Sequence, residues 1–399
     1  MDKVFANPAW QSVLRYLQEH EAETIEELVR LAETPAPTFA EARRAHYVQE
    51  RLGALGMADV TRDDVDNVVG LWPGMEAGEP AILVAAHMDT VFPEETPLKV
   101  RREADRLVGP GVGDNASNLA GMLAVAEALV RNNLHLRRDI FFAATVGEEG
   151  LGDLRGMRRL MERFGSRLGW VIAADGGLGG LVHQGVGSRR LRLTCLAQGG
   201  HSWGAFGTPS AIHVLGRIIS EIARLSVPRS PRTTYNVGVV SGGTSINTIA
   251  PEAQALIDLR SIDGGELKKL EDRVRRIVEQ ASASAGTRYR LDVIGDRPTG
   301  SIPAAHPLVQ AVRQVHRRLG IDTRSVPSST DANLPLHLGV PAVTVGVTSG
   351  GNGHLVEEFV YTPPLVQGLQ QLALILAAVQ DLPAPASIGP GLTDLRGPK

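Results

Sequence analysis

Apolar positions follow two different spacings in the first half of the chain. Helical spacing, with apolar side chains recurring every three to four positions, covers residues 8–31, 40–55, 117–130 and 156–163. Short apolar runs, which predict buried strands, lie at residues 68–71, 82–86, 140–146 and 171–174. Because these strands alternate with helices, we predict an α/β domain in which helices cover both faces of a mostly parallel or mixed sheet.

The pattern changes after Asp175. Residues 176–187 contain six glycines, a composition typical of a flexible connection between domains. The following segments predict strands and helices in the order βαββαβ, at residues 190–196, 211–225, 234–240, 253–260, 266–282 and 289–294. This order is typical of a ferredoxin-like α+β domain.

The α/β pattern resumes beyond this segment, at residues 307–319, 342–347 and 365–382. We therefore predict one α/β domain formed by residues 1–186 and 298–399, with the ferredoxin-like domain inserted at residues 187–297. The end of the chain, from Pro383 onward, is rich in proline and glycine and is predicted to be irregular.

Composition narrows the functional class. A chain of 399 residues, 43% hydrophobic and 21% charged, is long enough for two domains with buried cores. A net charge of −3 gives no support for a nucleic-acid partner. Cys195 is the single cysteine, the first residues lack the features of a secretory signal, and no apolar run is long enough for a membrane span. We therefore predict a cytoplasmic protein without membrane partners.

The most informative polar residues follow the apolar run at residues 82–86. His87 and Asp89 lie two positions apart, so they project from one face of the strand at its carboxyl end. Ligands and catalytic groups collect at that end of the strands in open α/β sheets. The pair alone is more typical of scattered polar residues than of a catalytic site, so its interpretation depends on other segments.

Four further segments place acidic residues or histidine at strand ends or in glycine-rich loops. They are Asp114 in residues 109–115, Glu148 and Glu149 in 146–150, Asp175 after 171–174, and His354 in 350–354. Each one alone is typical of an ordinary turn or a solvated loop. If the strands share one sheet, their carboxylates crowd one crevice, and cations are needed to neutralise them. Because the histidines add nitrogen ligands that zinc prefers, a two-metal hydrolytic site is the simplest interpretation.

In this order and spacing the motifs resemble the dizinc exopeptidase and deacylase family, which includes glutamate carboxypeptidase, aminoacylase, acetylornithine deacetylase, succinyl-diaminopimelate desuccinylase and peptidase T. The resemblance covers nearly the whole chain and implies two zinc ions per chain, with cobalt or manganese as substitutes. The ligand set that it implies is His87 and Asp175 for one ion, Glu149 and His354 for the other, and Asp114 as the bridge. It also implies a cis peptide bond between Asp114 and Asn115.

The resemblance assigns roles to two residues beside the ligands. Asp89 is expected to accept a hydrogen bond from the ring nitrogen of His87 that does not bind metal, which would orient the ring. Glu148 is expected to act as the general base, taking a proton from the metal-bridging water and passing it to the leaving amine. Zinc lowers the pKa of such a water to about 7, so a metal-bridging hydroxide is available at neutral pH.

Three residues of the inserted domain resemble family positions that contact substrate: His201, Asn247 and Arg260. His201 is expected to bind the substrate carbonyl or oxyanion, and in several dimeric members the corresponding histidine comes from the neighbouring subunit. Arg260 is suited to a bidentate contact with a carboxylate. The inserted domain is therefore expected to act as a lid and dimerisation domain, with a homodimer formed through an exposed edge strand.

Substrate choice depends on one ligand position. Asp175 stands where carboxypeptidase-like and deacylase members usually carry glutamate, which resembles the aminopeptidase and dipeptidase branch and chains related to peptidase T. We therefore predict an exopeptidase that cleaves one amide bond in a small peptide, as an aminopeptidase. Arg260 and the segment around His201 would also suit the free carboxylate of an N-acyl amino acid, so a deacylase or a carboxypeptidase stays an alternative.

Other functional classes have weaker support. Residues 200–204 fit the G-x-S-x-G motif of serine hydrolases, but the following helix begins too late for a strand-to-helix turn. Residues 111–116 fit a G-x-G-x-x-A dinucleotide-binding motif, but the strand before them is short and polar. A metal-free binding protein on this scaffold is disfavoured because every implied ligand position and the base position are filled.

Overall fold

The structure is a computed structural model that describes Val4 and residues 6–385. The chain divides into two compact units, Met1–Gly185 with Gly300–Lys399, and Val186–Thr299. The predicted inserted domain, residues 187–297, falls within the second unit. The last part of the predicted irregular tail, residues 386–399, lies outside the described residues.

Helices occupy most of the predicted helical segments. They are α1 (Pro8–Glu19), α2 (Glu21–Glu33), α3 (Ala42–Ala54), α4 (Asn118–Arg131), α5 (Arg155–Phe164), α6 (Ala211–Ile222), α7 (Gly264–Ser284), α8 (Pro307–Leu319), α9 (Asn333–His337) and α10 (Leu365–Gln380). Single-turn helices lie at Val112–Ser117, Gly150–Gly152 and Gly165–Arg167. In the part of the chain that the structure describes, no helix has both the length and the apolar character needed to cross a membrane.

The segment of helical spacing over residues 8–31 forms two helices, α1 and α2. His20 adopts a non-helical backbone conformation between them, with φ −110° and ψ 30°. The apolar spacing continues across this break, since Val13 and Leu17 of α1 and Leu28 of α2 are all buried in the same core. Hydrophobic periodicity alone therefore does not reveal the break.

The strands vary widely in length. In the first unit they are β1 (Ala58–Arg62), β2 (Val68–Trp72), β3 (Ala81–His87), β4 (Arg101–Arg102), β5 (Arg106–Val108), β6 (Ile140–Thr145), β7 (Leu168–Ala174), β8 (Gly180–Leu181) and β9 (Gln184–Gly185). The second unit contains β10 (Gly187–Leu196), β11 (Gly200–His201), β12 (Thr233–Gly242), β13 (Thr248–Ile249), β14 (Glu252–Ser261) and β15 (Arg288–Arg297). The first unit resumes with β16 (Gly300–Ser301), β17 (Arg324–Ser325), β18 (Ala342–Val345), β19 (Gly350–Gly351) and β20 (Phe359–Tyr361).

The first unit is built on a mixed six-stranded sheet in the order β1-β2-β6-β3-β7-β18. β6, β3, β7 and β18 are parallel, whereas β1 and β2 complete the sheet in antiparallel pairs. Every residue of β3, β6 and β7 is buried, because apolar clusters that include side chains of the helices cover both faces of the sheet. The predicted α/β fold with a mixed sheet is confirmed.

The second unit is a four-stranded antiparallel sheet in the order β12-β14-β10-β15, with helices α6 and α7 packed against it. Buried and less buried residues alternate along β14, as a strand covered on one face requires. The chain order βαββαβ and this strand order agree with the predicted ferredoxin-like domain.

Candidate metal centre

Three neighbouring parallel strands bring the predicted polar residues to one edge of the large sheet. β3 lies between β6 and β7, and all three run in the same direction. His87 ends β3, Glu148 and Glu149 follow β6, and Asp175 follows β7. The condition set by the sequence, that these strands share one sheet, is therefore met.

Asp114 and His354 reach this edge from a second, smaller sheet. β20 pairs with β5, and the loop after β5 carries Asp114 while the loop between β19 and β20 carries His354. The peptide bond between Asp114 and Asn115 is cis, as the family resemblance implies. Two chain segments separated by the second unit are thus joined beside the large sheet.

Asp114 lies between the two histidines and offers one carboxylate oxygen to each. His87 Nε2 is 3.0 Å from Asp114 Oδ1, and His354 Nε2 is 3.3 Å from Asp114 Oδ2. The same nitrogen of His354 is 3.2 Å from Glu149 Oε1. Ligand atoms of His87, Asp114 and Glu149 all lie within 4.8 Å of one another.

We refer to His87, Asp114, Glu149, Asp175 and His354 as the five-residue cluster. Asp175 interacts electrostatically with both His87 and Asp114, so it belongs to the same group of charges. His87 Nε2 is fully buried and has no hydrogen bond of suitable geometry, although an acidic oxygen lies 3.0 Å away. A buried nitrogen without a hydrogen bond among carboxylates fits a divalent cation, because imidazole nitrogen and carboxylate oxygen are zinc ligands.

Mutual interaction shifts the pKa values of the cluster in both directions. Burial raises the pKa of Asp175 to about 7, and the nearby charge of Asp114 adds to this effect. Burial opposes ionisation of Asp114, but the adjacent imidazole rings of His354 and His87 outweigh it and hold its pKa well below the usual range. The pKa of His354 rises to about 9, chiefly because its ring bonds to Asp114. The pKa of His87 is also raised, since the carboxylates of Asp114 and Asp89 outweigh burial.

Asp89 differs in one contact from the sequence-based prediction. His87 Nδ1 lies 3.1 Å from the main-chain oxygen of Asp89, whereas the carboxylate Oδ1 is 3.6 Å away, beyond hydrogen-bond distance. The carboxylate instead accepts hydrogen bonds from the backbone N–H groups of Glu148 at 3.0 Å and Glu149 at 2.9 Å. Thr38 Oγ1 donates a third bond at 2.9 Å. The predicted acceptor is therefore replaced by the main chain, because both carboxylate oxygens have other donors.

Glu358 is a buried residue of this region that the sequence interpretation missed. Its carboxylate accepts backbone hydrogen bonds from Gly111 at 3.0 Å, Gly113 at 2.9 Å and Asp114 at 2.7 Å. Gly113 permits this approach, since a Cβ atom there would lie 2.6 Å from Glu358 Oε1. Burial raises the pKa of Glu358 to about 7. In the sequence, the one feature that could have linked Glu358 to this site is its position four residues after His354.

Two further buried charges hold the backbone around the cluster. Arg44 is fully buried and donates a hydrogen bond of 2.6 Å to the main-chain oxygen of Met88, between His87 and Asp89. Glu41 accepts a hydrogen bond of 3.1 Å from the N–H of Gly147, next to Glu148. In sequence both residues are part of a helical pattern, so nothing distinguishes them from surface charges.

The second unit contains the three predicted substrate contacts. β11 pairs with β13, and the N–H of Ser202 donates to the main-chain oxygen of Asn247 at 2.9 Å, so His201 and Asn247 lie on adjoining loops. Both residues are exposed. Arg260 lies eight residues after Glu252 along β14, roughly 26 Å of extended strand from the end where those loops begin. The structure therefore brings His201 and Asn247 together but not Arg260.

Curated relatives resemble most of the chain. The uncharacterized protein YqjE of Bacillus subtilis is 24% identical over 348 residues, which cover 82% of this chain and 91% of YqjE. An acetylornithine deacetylase of Edwardsiella ictaluri is 25% identical over 309 residues, covering 72% of this chain and 78% of the deacetylase.

Solved structures share the fold. A tripeptidase from Staphylococcus aureus superposes with a TM-score of 0.78 at 22% identity, covering 91% of this chain and 99% of the tripeptidase. The aminopeptidase PepT of Bacillus cereus superposes with a TM-score of 0.74 at 21% identity, covering 90% of this chain and 98% of PepT. A dinuclear metal binding peptidase of the M20 family from Bacillus subtilis superposes with a TM-score of 0.68 at 17% identity, covering 91% of this chain and 99% of that peptidase.

The match to a protein family extends over residues 83–378, which include the whole five-residue cluster. The family is described as Peptidase family M20/M25/M40. This match confirms the membership in the exopeptidase and deacylase family that the sequence motifs predicted. The chain belongs to Peptidase family M20/M25/M40 and is an enzyme of the dimetal type that hydrolyses amide bonds.

Proposed function

We propose that this enzyme is a zinc-dependent aminopeptidase that removes a terminal residue from small peptides. The observation that carries the proposal is the position of Asp114, which faces His87 with one oxygen and His354 with the other. A carboxylate in this arrangement is suited to bridging two cations. The likeness to proteins described as a tripeptidase and an aminopeptidase supports the choice of substrate.

Within the proposal, two zinc ions bind per chain, with cobalt or manganese as substitutes. His87 and Asp175 would hold one ion, Glu149 and His354 the other, and Asp114 would bridge them. Bound divalent ions supply an acidified water and polarise the scissile carbonyl. The charge of the ions also compensates the carboxylates of the cluster, since burial, and then the nearby charge of Asp114, raises the pKa of Asp175.

Glu148 is the proposed general base. Its backbone N–H is bound by the Asp89 carboxylate, and its neighbour Glu149 is bound by the same carboxylate. Adjacent residues of an extended segment point in opposite directions, so Glu149 can face the cluster while the Glu148 side chain, on the other side of the segment, serves in proton transfer. Asp89 is then a positioning residue that fixes both glutamates through their main chain.

The hydrogen bonds of His201 support its proposed contact with the substrate carbonyl. Its Nδ1 accepts from the backbone N–H groups of Trp203 at 3.2 Å and Gly204 at 3.3 Å. In the neutral ring the proton must therefore lie on Nε2, which becomes a hydrogen-bond donor. A donor of this kind can stabilise negative charge that develops on a carbonyl oxygen, and Asn247 on the adjoining loop can add a second donor.

Arg260 supports the proposal of a homodimer formed through the second unit. Because a length of strand separates it from the loops of His201 and Asn247, all three side chains of one chain are too far apart to bind one small amide. Two copies could supply them from different subunits. β12 is an edge strand of its sheet and is available for pairing across a twofold axis.

A deacylase acting on N-acyl amino acids is the second candidate, and the identity to an acetylornithine deacetylase favours it. The contact that would recognise a free carboxylate is Arg260. However, Arg260 Nε already donates to Asp258 Oδ2 at 2.7 Å, so a carboxylate ligand must compete with a partner that is in place.

We also propose a cytoplasmic location, which the single, buried thiol of Cys195 supports.

The proposal is tested with protein stripped by a chelator and reloaded with zinc. Free tripeptides, N-blocked tripeptides and N-acetyl amino acids are compared by kcat/KM, and metal content is measured by mass spectrometry. We expect hydrolysis only after reloading, fastest for free tripeptides, and loss of an ion in His87→Ala. Faster hydrolysis of N-blocked or N-acetyl substrates would exclude the aminopeptidase assignment, and fewer than one ion per chain would exclude the metal mechanism.

A further inference from the structure

Exposed apolar side chains surround the five-residue cluster in sequence. Each lies within two residues of the cluster, of Asp89, or of Thr38, which bonds to Asp89. We call them the apolar rim: Phe39, Val91, Leu151, Leu355 and Val356. All five residues belong to the first unit, and their side chains remain exposed in the presence of the second unit. Apolar side chains around a polar centre suit a ligand that is polar where it reacts and apolar beside that point.

Phe39 is the member of the rim whose neighbours on both sides bond to the site. The segment before it is fastened to the end of β3, since Thr38 Oγ1 bonds to Asp89 Oδ2 at 2.9 Å and the Thr38 N–H bonds to Thr90 O at 3.3 Å. The segment after it is fastened to the end of β6, since Glu41 accepts from Gly147 at 3.1 Å. Both anchors are segments that carry Asp89 and Glu148, so the backbone at Phe39 is held relative to them.

The backbone of Phe39 is also strained. Its φ of 76° lies in the left-handed region, which bulky residues rarely adopt. The side chain is 64% exposed, so little burial compensates this cost. The guanidinium of Arg155 lies 5.5 Å from the ring centroid and supports the ring. Residues held in this way concentrate at ligand sites, because the contact is made when the ligand arrives.

We infer that the site selects amides with a bulky apolar side chain next to the scissile bond, and that Phe39 contacts that side chain. The inference rests on the proposed function and adds its substrate class. The cluster binds the amide and the rim removes water from the apolar group. For one such contact at a partly open surface, we expect a preference of about tenfold for leucine over glycine.

The test compares kcat/KM for Leu-Gly-Gly, Gly-Leu-Gly and Gly-Gly-Gly on the zinc-loaded enzyme. Leucine lies on one side of the scissile bond in Leu-Gly-Gly and on the other side in Gly-Leu-Gly. We expect kcat/KM for one of these two peptides to exceed that for Gly-Gly-Gly by about tenfold, and Phe39→Ala to reduce this ratio to about two. Phe39→Leu should retain most of the preference. Alanine keeps a Cβ atom and hence the backbone strain. Met75→Ala is the matched control, because Met75 is 67% exposed and belongs to a loop fixed to Leu136, away from the cluster.

A second measurement separates this inference from the proposed function. Leucine hydroxamate and glycine hydroxamate are titrated calorimetrically into the zinc-loaded protein and into Phe39→Ala. If no peptide is hydrolysed but leucine hydroxamate binds about tenfold tighter in a Phe39-dependent manner, the aminopeptidase proposal fails and the apolar rim stands. Equal ratios in wild type and Phe39→Ala, absence of hydroxamate binding, or a changed oligomeric mass with unchanged ratios would overturn the rim as a substrate contact.

Discussion

The two units hold the side chains that we propose to be functional under different conditions. In the first, carboxylates and imidazoles are crowded within hydrogen-bond distance, and the cluster extends from the buried His87 and Glu149 to the exposed His354. In the second, His201 and Asn247 are exposed on adjoining loops, and Arg260 is partly exposed on a strand. The first arrangement is costly without compensating charge, whereas the second costs little before a ligand arrives. The comparison teaches that metal binding and substrate contact make different demands on the chain, and substitutions should separate them.

The largest effect is expected for Glu148→Gln. Removal of the proposed base should lower kcat by roughly 10²- to 10⁴-fold, because the proton from the attacking water loses its acceptor. Metal content should stay at the wild-type level, since Glu148 is not a proposed ligand. Glu162→Gln, at an exposed position paired with Arg159, is the control. A Glu148→Gln enzyme with unchanged kcat would remove this residue from the mechanism.

His201→Ala tests the exposed side of the comparison. Loss of one donor to the substrate oxygen should lower kcat/KM by about 10²-fold. Metal content and melting temperature should not change, because the side chain is exposed and its hydrogen bonds are confined to its own turn. Mixing His201→Ala with Glu148→Gln protein provides a further measurement. Recovery of activity in the mixture would show that the histidine acts across subunits, and recovery is not expected if it acts within one chain.

Asp89→Asn should have a smaller effect, with about 10- to 100-fold lower turnover and a smaller change in zinc content. The amide replaces one acceptor of the Glu148 and Glu149 N–H groups with a donor, which displaces the glutamates but leaves the bond from His87 to the Asp89 main chain. His87→Ala is the comparison, since it removes a proposed ligand. Equal loss of zinc in both variants would contradict the distinction between ligand and positioning residue.

The smallest effect is a pH dependence of the metal-free protein. The pKa values of Asp175 and Glu358 rise to about 7 and that of His354 to about 9, so the folded state holds more protons than the unfolded state. The contribution of these three groups to the free energy of unfolding is fully present at low pH, and it is lost as the pH rises through their folded-state pKa values. The melting temperature of metal-free protein should therefore fall between pH 6 and 9. Zinc-loaded protein should show a flatter profile, and parallel profiles would argue against metal binding at this cluster.

The sequence predicted the parts of the site that follow from strand order. A histidine or carboxylate directly after an apolar run is visible in sequence, and the parallel order of β3, β6 and β7 then brings His87, Glu149 and Asp175 together. Glu358 was missed because its role depends on a pairing between β20 and β5 that no local pattern encodes. Arg44 and Glu41 were missed for a related reason: a sequence pattern of helical spacing reveals their charge but not their burial. The break at His20 was invisible because the apolar face continues across it.

The cluster also has an order of appearance during synthesis. Asp114 and His354 are 240 positions apart (354 − 114), and the whole of Val186–Thr299 lies between them. At 5–20 residues per second, the ribosome needs roughly 12–48 s to proceed from the first to the second. Once residue 299 has been added, the second unit is complete in sequence, whereas the carboxylates at the sheet edge still lack both His354 and Glu358. The inserted unit can therefore fold before the metal centre has all of its residues, and the centre is among the last features of the chain to form.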